Sequence, residues 1–216
     1  MPVQEQETGR VTAEAIAKVE SWVRETLDQA GSMTHGWLHT ERVRGHIRVL
    51  ARAEGVDPIL AELAALLHDV GRSQPGPEAE HGARSAALAE PILAELSLND
   101  ADREAVLDAI RWHNSKRNDT SLLCVLRDAD MLDGLGAVGI VRAFMSRSNL
   151  LPYDPGAPFD GGGDRWPARY SSDQLLGQMK WYDWLNTATA REIASSRIRF
   201  MKAFVAQVQQ ELLQDD

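Results

Sequence analysis

Wherever apolar residues recur along this chain they do so at the three- and four-residue spacing of an α-helix, and nowhere do they alternate convincingly in the manner of a half-buried strand. The pattern runs from about Val11 to Leu27, from Trp37 to Leu50, and through Ile59, Leu60, Leu63, Leu66 and Leu67. It continues over 78–97, 99–113 and 120–132, with Asn99 placed to cap the second of these segments. Residues 146–172 interrupt it, because LPYDPGAPFDGGGDRWP concentrates Pro, Gly and Asp in what must be a loop. Loops of that length are usually functional lids or disordered, and this one is expected to form part of a cleft wall. A helix over 173–185 follows, and Thr187 is a candidate N-cap for a last helix ending near Leu213. The expectation is an all-α, single-domain helical bundle with its core over about 33–145, the excursion at 146–172 and C-terminal helices over 173–213.

Composition narrows the partners. A chain of 216 residues with 44% hydrophobic and 25% charged residues can bury an ordinary core. A net charge of -9 opposes stable binding to a nucleic-acid backbone. A small anionic substrate remains compatible with that charge, since a bound cation and a few Arg and Lys side chains reverse the sign inside one cleft. The single Cys124 lies in the apolar run SLLCVLRDAD and reads as a buried, inert thiol. The first thirty residues lack the apolar core of a signal peptide, and no stretch approaches a membrane span, so a cytoplasmic location without a membrane partner is expected.

The histidines carry the chemistry. His39, adjacent His68 and Asp69, then His81, His113 and Asp130 supply imidazole nitrogens and carboxylate oxygens, a donor set suited to a divalent ion such as manganese, iron, cobalt, nickel, zinc or magnesium. His68 and Asp69 close the apolar helix AELAALLHDV just before Gly71. His39 shares a helical face with Val43, Ile47 and Leu50 and so points inward. A lone inward histidine is more often satisfied by a backbone carbonyl than by a metal, but an Asp ending an apolar helix calls for a cation or an ion pair. Asp128, Asp130 and Asp133 crowd into six positions of an apolar segment, either as an exposed acidic helix end or with at least one carboxylate turned inward.

These residues resemble the HD-domain phosphohydrolases, and within them a small bacterial YedJ/YpgQ-like branch. HGWLHTERV at 35–43 is similar to its opening motif, ALLHDVG at 65–71 to its HD motif, and RDADMLDGLGAVGIVRAF at 127–144 to its last block, with LNTATAREIASSRIRFMKAF closing the match. The likeness spans roughly residues 33–204. It implies an HD-type bundle in which His39, His68, Asp69 and Asp130 bind one divalent ion, manganese first among the candidates, with a second ion compatible with the extra histidines. Catalysis is expected through Asp69, while His81 and His113 could bind a second ion, contact phosphate as general acids or do neither; His35, Arg42, Arg72, Lys116 and Arg142 are the candidate phosphate contacts. Arg42 and Lys116 have equal standing as an ion pair and a solvated side chain, and the SQPGPEAE insertion after Arg72 puts contacts there in question.

The implied reaction is hydrolysis of a nucleotide by a metal-activated water, with release of pyrophosphate from a nucleoside triphosphate favoured over phosphomonoester or phosphodiester cleavage. A di-iron oxygenase and a nucleotide-binding regulator without turnover are the rival classes. Tyr153, Trp166 and Trp181 could stack on a base, although aromatics so placed more often pack a core. Gly134, Gly136 and Gly139 spell G-x-G-x-x-G, but without the preceding strand a dinucleotide site requires. Asn118-Asp-Thr has the form of a glycosylation triplet, and Gly161–Gly163 lack the Lys-Ser or Lys-Thr of a phosphate loop.

Overall fold

PILAELAALL is apolar on every side except at Glu62, and a helix so composed can be stable in water only when surrounded. In the computed structural model, which describes residues 11–160 and 167–212, this segment is the central helix α3 of the first half of the chain. In chain order the helices are α1 (Ala13–Ala30), α2 (Trp37–Glu54), α3 (Pro58–Leu67), α4 (His81–Ala94), α5 (Asp100–Trp112), α6 (Ser121–Asp133), α7 (Gly136–Ser146), α8 (Ser171–Met179) and α9 (Ala188–Leu212). Among the described residues there is no strand, only an isolated bridge between Leu151 and Tyr170. The fold is all-α.

Contacts divide the chain into two compact units, Met1–Leu126 and Arg127–Asp216. The division falls inside α6, so no Pro-, Gly- or Ser-rich linker announces it in the sequence. In the first unit α3 touches α1, α2, α4 and α5. Asp57 starts it by accepting from the amides of Ile59 (2.8 Å) and Leu60 (3.1 Å), with Pro58 at the first helical position, where a missing N–H costs nothing. Glu62, its one charged residue, is buried and satisfied by two guanidinium groups of α2. Arg44 Nε donates to Oε1 at 2.9 Å and Arg48 Nε to Oε2 at 2.8 Å, while Arg44 Nη1 reaches Glu20 of α1 at 3.0 Å.

In the second unit α7 packs on α8 and α9. Asp128 is fully buried and accepts four hydrogen bonds of 2.8 Å, from Asn186 N and Nδ2 and from Thr187 N and Oγ1. Thr187 Oγ1 in turn accepts from Ala190 N at 3.1 Å, the N-cap bond its position predicts. Asn99 likewise caps α5 through Asp102 N at 2.8 Å.

Two expected helices change, and a third forms that the apolar pattern does not announce. The helix expected over 78–97 opens instead as a 3₁₀ turn at Glu78–Glu80, behind the extended Pro77, and becomes α-helical only over His81–Ala94. The helix expected over 173–185 splits into α8 and a 3₁₀ turn at Lys180–Trp184. Helix α7 forms where the glycines of GLGAVG lower helix propensity. Those glycines serve close packing: a Cβ at Gly134 would meet the Trp181 ring at 2.3 Å, and one at Gly139 the carbonyl oxygen of Gly134 at 2.1 Å. Trp181 therefore packs, and Tyr153 lies against Phe159 with ring centroids 5.9 Å apart. Cys124 is half-buried rather than buried, its thiol 3.4 Å from the Asn118 carbonyl oxygen. Leu213, Trp166 and Gly161–Gly163 lie outside the described residues.

Candidate metal centre

The first unit assembles its site around one carboxylate. Helix α3 ends at Leu67, His68 caps it, and Asp69 takes φ -109° and ψ 4°, the sparsely used bridge region in which many active-site residues are found. A 3₁₀ turn over Val70–Ser73 then carries the chain away. Gly71 permits this turn to lie on α4, because a Cβ there would meet Ser85 N at 2.4 Å and His81 O at 2.5 Å. His39 enters from α2, His81 from the first residue of α4, and His113 from the position just past α5. His39, His68, Asp69, His81 and His113 are all buried, and His35 is half-buried.

The two oxygens of Asp69 face different groups. Oδ2 accepts from His35 Nδ1 at 2.9 Å and stands 3.5 Å from His39 Nε2 and 3.7 Å from His68 Nε2. Oδ1 accepts from Arg72 Nε at 2.8 Å and stands 3.3 Å from His81 Nε2 and 3.6 Å from His113 Nε2. Burial pushes the Asp69 carboxyl toward the neutral form, but His68, Arg72, His113 and His35 outweigh it and hold its pKa well below the usual range. Asp69 is therefore anionic. Burial dominates at His35 and His81 and lowers both pKa values, which favours the neutral imidazoles that metals bind.

Three imidazoles have their tautomers fixed by the backbone. His68 Nδ1 donates to Ala65 O (2.8 Å), His81 Nδ1 to Glu78 O (2.6 Å) and His113 Nδ1 to Ile110 O (2.7 Å). Each neutral ring thus presents its Nε2 lone pair to the site. The Nε2 atoms nevertheless approach one another in pairs, His39 to His68 at 3.3 Å and His81 to His113 at 3.0 Å. Facing lone pairs at hydrogen-bond distance require a proton or a cation between them, and this donor set fits a divalent ion. The groupings His35/His39/Asp69 and His68/Asp69/His113 each place three ligand atoms within 4.8 Å of one another.

A model of the HD domain matches residues 36–135, the stretch that contributes His39, His68, Asp69, His81 and His113. Those residues therefore form an HD domain. The Bacillus subtilis (strain 168) protein YpgQ is 29% identical to the whole sequence over 201 residues, 90% of this chain and 92% of the relative. The crystal structure of Bacillus subtilis YpgQ in complex with ADP superposes with a TM-score of 0.68 at 26% identity, covering 93% of this chain and 100% of that one. An HD-superfamily hydrolase from Bacillus thuringiensis superposes with a TM-score of 0.70 at 29% identity, covering 94% and 98%.

The remaining candidates distribute unevenly. His35 and Arg72 stand at Asp69. Arg42 is half-buried on α2, and Lys116 is exposed between α5 and α6. In the second unit Asp130 is half-buried on α6, and Arg142 Nη1 donates to the buried carboxylate of Asp133. Glu78 is a participant that sequence reasoning passes over. It binds Arg72 Nη1 at 2.5 Å, although in SQPGPEAE it reads as an ordinary loop acid. No helix among the described residues is long and apolar enough to cross a membrane.

Proposed function

We propose that this chain is a metal-dependent phosphohydrolase acting on nucleotides, releasing pyrophosphate from a nucleoside triphosphate. The observation that carries the proposal is the buried Asp69 carboxylate with paired imidazole Nε2 atoms beside each of its oxygens. His39, His68 and Asp69 would hold the ion, and the likeness of RDADMLDGLGAVG to the family's last block makes Asp130 the expected fourth ligand. A divalent ion bound there lowers the pKa of a coordinated water to about 7 and offsets charge on a phosphate oxygen.

The protein's own groups supply the rest. Asp69 anchors His35 through Oδ2 and Arg72 through Oδ1, and these are the two expected phosphate contacts that stand at the carboxylate. Nucleotides are supported as the substrate class by the ADP complex of YpgQ. His81 and His113, with Nε2 atoms 3.0 Å apart, stand beside Asp69 Oδ1, where a proton taken up by either ring can pass to a departing phosphate oxygen. Burial disfavours a charged His81, so a proton taken up there is readily given up.

The test is metal analysis of the purified chain together with a screen of nucleoside mono-, di- and triphosphates for released phosphate and pyrophosphate, with Asp69→Ala alongside. Pyrophosphate release that vanishes in Asp69→Ala supports the reading. Release of orthophosphate from monophosphates would move the bond cleaved, and bound iron with oxygen consumption but no hydrolysis would replace the hydrolase with an oxygenase.

A further inference from the structure

The half of the centre on the Oδ1 side of Asp69 has the ligands of a second metal position: a carboxylate oxygen and the Nε2 atoms of His81 and His113, both rings fixed by backbone carbonyls. The guanidinium of Arg72 uses two of those three ligand atoms. Its Nε donates to Asp69 Oδ1 at 2.8 Å and its Nη2 to His81 Nε2 at 3.1 Å. Resting on the metal-centre reading above, we propose that Arg72 is a built-in cation that fills the second position and limits the centre to one metal ion.

The geometry makes this more than proximity. Arg72 lies three residues after Asp69 on the 3₁₀ turn Val70–Ser73, which brings its side chain back over the carboxylate it follows. On its outer side Nη1 is held by Glu78 at 2.5 Å, so all three guanidinium nitrogens have acceptors. Only 16% of the side chain is exposed. A guanidinium stays protonated at any physiological pH, so the position is filled by charge without dependence on metal supply. A divalent ion binding there would compete for Asp69 Oδ1 and the His81 lone pair and would meet a fixed positive charge at contact distance. On the Oδ2 side the described neighbours of the carboxylate are His35, His39 and His68, whose rings can be neutral.

The experiment loads the full-length protein with excess manganese, removes unbound ions by gel filtration, and reads bound metal by mass spectrometry and the manganese spectrum by electron paramagnetic resonance. Wild type is expected to hold about one ion per chain with the hyperfine pattern of an isolated ion. Arg72→Met, which keeps length and removes charge, is expected to hold about two, with the exchange-coupled signal of ions sharing a carboxylate. Adding His113→Ala to Arg72→Met should return the stoichiometry to one. Glu78→Gln alters an exposed residue, loosens Arg72 from outside and should admit a second, weaker ion even if Arg72→Met fails to fold. Two ions in wild type, or one ion in both Arg72→Met and Glu78→Gln, overturns the role of Arg72 while leaving the metal centre standing. No ion in any of them overturns the metal centre itself.

Discussion

The amide of Gly71 donates to the hydroxyl of Ser85 at 2.9 Å, and this bond seats the turn that carries His68 and Asp69 directly on α4, the helix that begins with His81. A methyl group at Gly71 would meet backbone atoms of His81, Arg84 and Ser85 at 2.4–2.8 Å, none of which can rotate away. Gly71→Ala is expected to lower stability by about 2–3 kcal/mol and to weaken metal binding, because the Asp69 turn must lift from His81. Denaturant unfolding and a metal titration check both parts; wild-type stability would mean the two backbones part at no cost.

Asp128 and Asp130 are predicted to fail in opposite ways. Removing the buried Asp128 carboxylate strands four donors at the start of α9, so Asp128→Ala should cost about 3 kcal/mol or more. Asp130→Ala should reduce metal retention more than it changes the melting temperature of the metal-free protein. Thermal melts and metal analysis on the same two samples separate a cap from a ligand.

The Glu62 cluster gives a pH dependence with a definite sign. Burial raises the pKa of Glu62, but hydrogen bonds from Arg48 and Arg44 outweigh it and leave the net value depressed. A depressed carboxyl stabilises the fold above the unfolded pKa of about 4.3, and the contribution is lost as pH falls through the lower folded value. Glu62→Gln is expected to destabilise the protein by about 2–4 kcal/mol at pH 7, removing the anion shared by the buried Arg44 and the exposed Arg48. The deficit relative to wild type should shrink as melts are taken at progressively lower pH. A deficit that stays constant to pH 3 would show that the cluster is not ionised as drawn.

Gly139→Ala tests what the glycine triplet is for. A Cβ there would collide with the Gly134 carbonyl, so a loss of about 2 kcal/mol is expected with no change in nucleotide affinity per folded molecule. Calorimetric titration with a nucleotide at a temperature where both proteins are folded decides it.

Much of the metal centre is legible in the sequence because its signals are local. His39 shares a face with Val43, Ile47 and Leu50, all buried, and His68 and Asp69 end a helix that is apolar on nearly every side. The three crowded carboxylates are not separable that way. Asp128 is explained by Asn186 and Thr187, 58 and 59 residues further on, and Asp133 by Arg142 across a turn that helical spacing does not describe. Arg72 is hidden for a related reason: its reach back to Asp69 and across to His81 depends on a 3₁₀ turn in a segment whose composition suggests only a loop. Helix α7 escapes notice because its glycines answer to neighbours rather than to propensity.

The excursion after α7 is tied at its neck. Ser171 N donates to Leu151 O and Ser172 N to Pro152 O, each at 2.9 Å, while Ser171 Oγ donates to Arg147 O at 2.9 Å. Once such ends are fastened, doubling the enclosed chain raises the closure cost by only about 0.6 kcal/mol. The stretch between can therefore lengthen, shrink or change composition from one descendant to the next while the helices on either side keep their seats, which makes it the place where a lineage of such proteins can diversify at little thermodynamic risk.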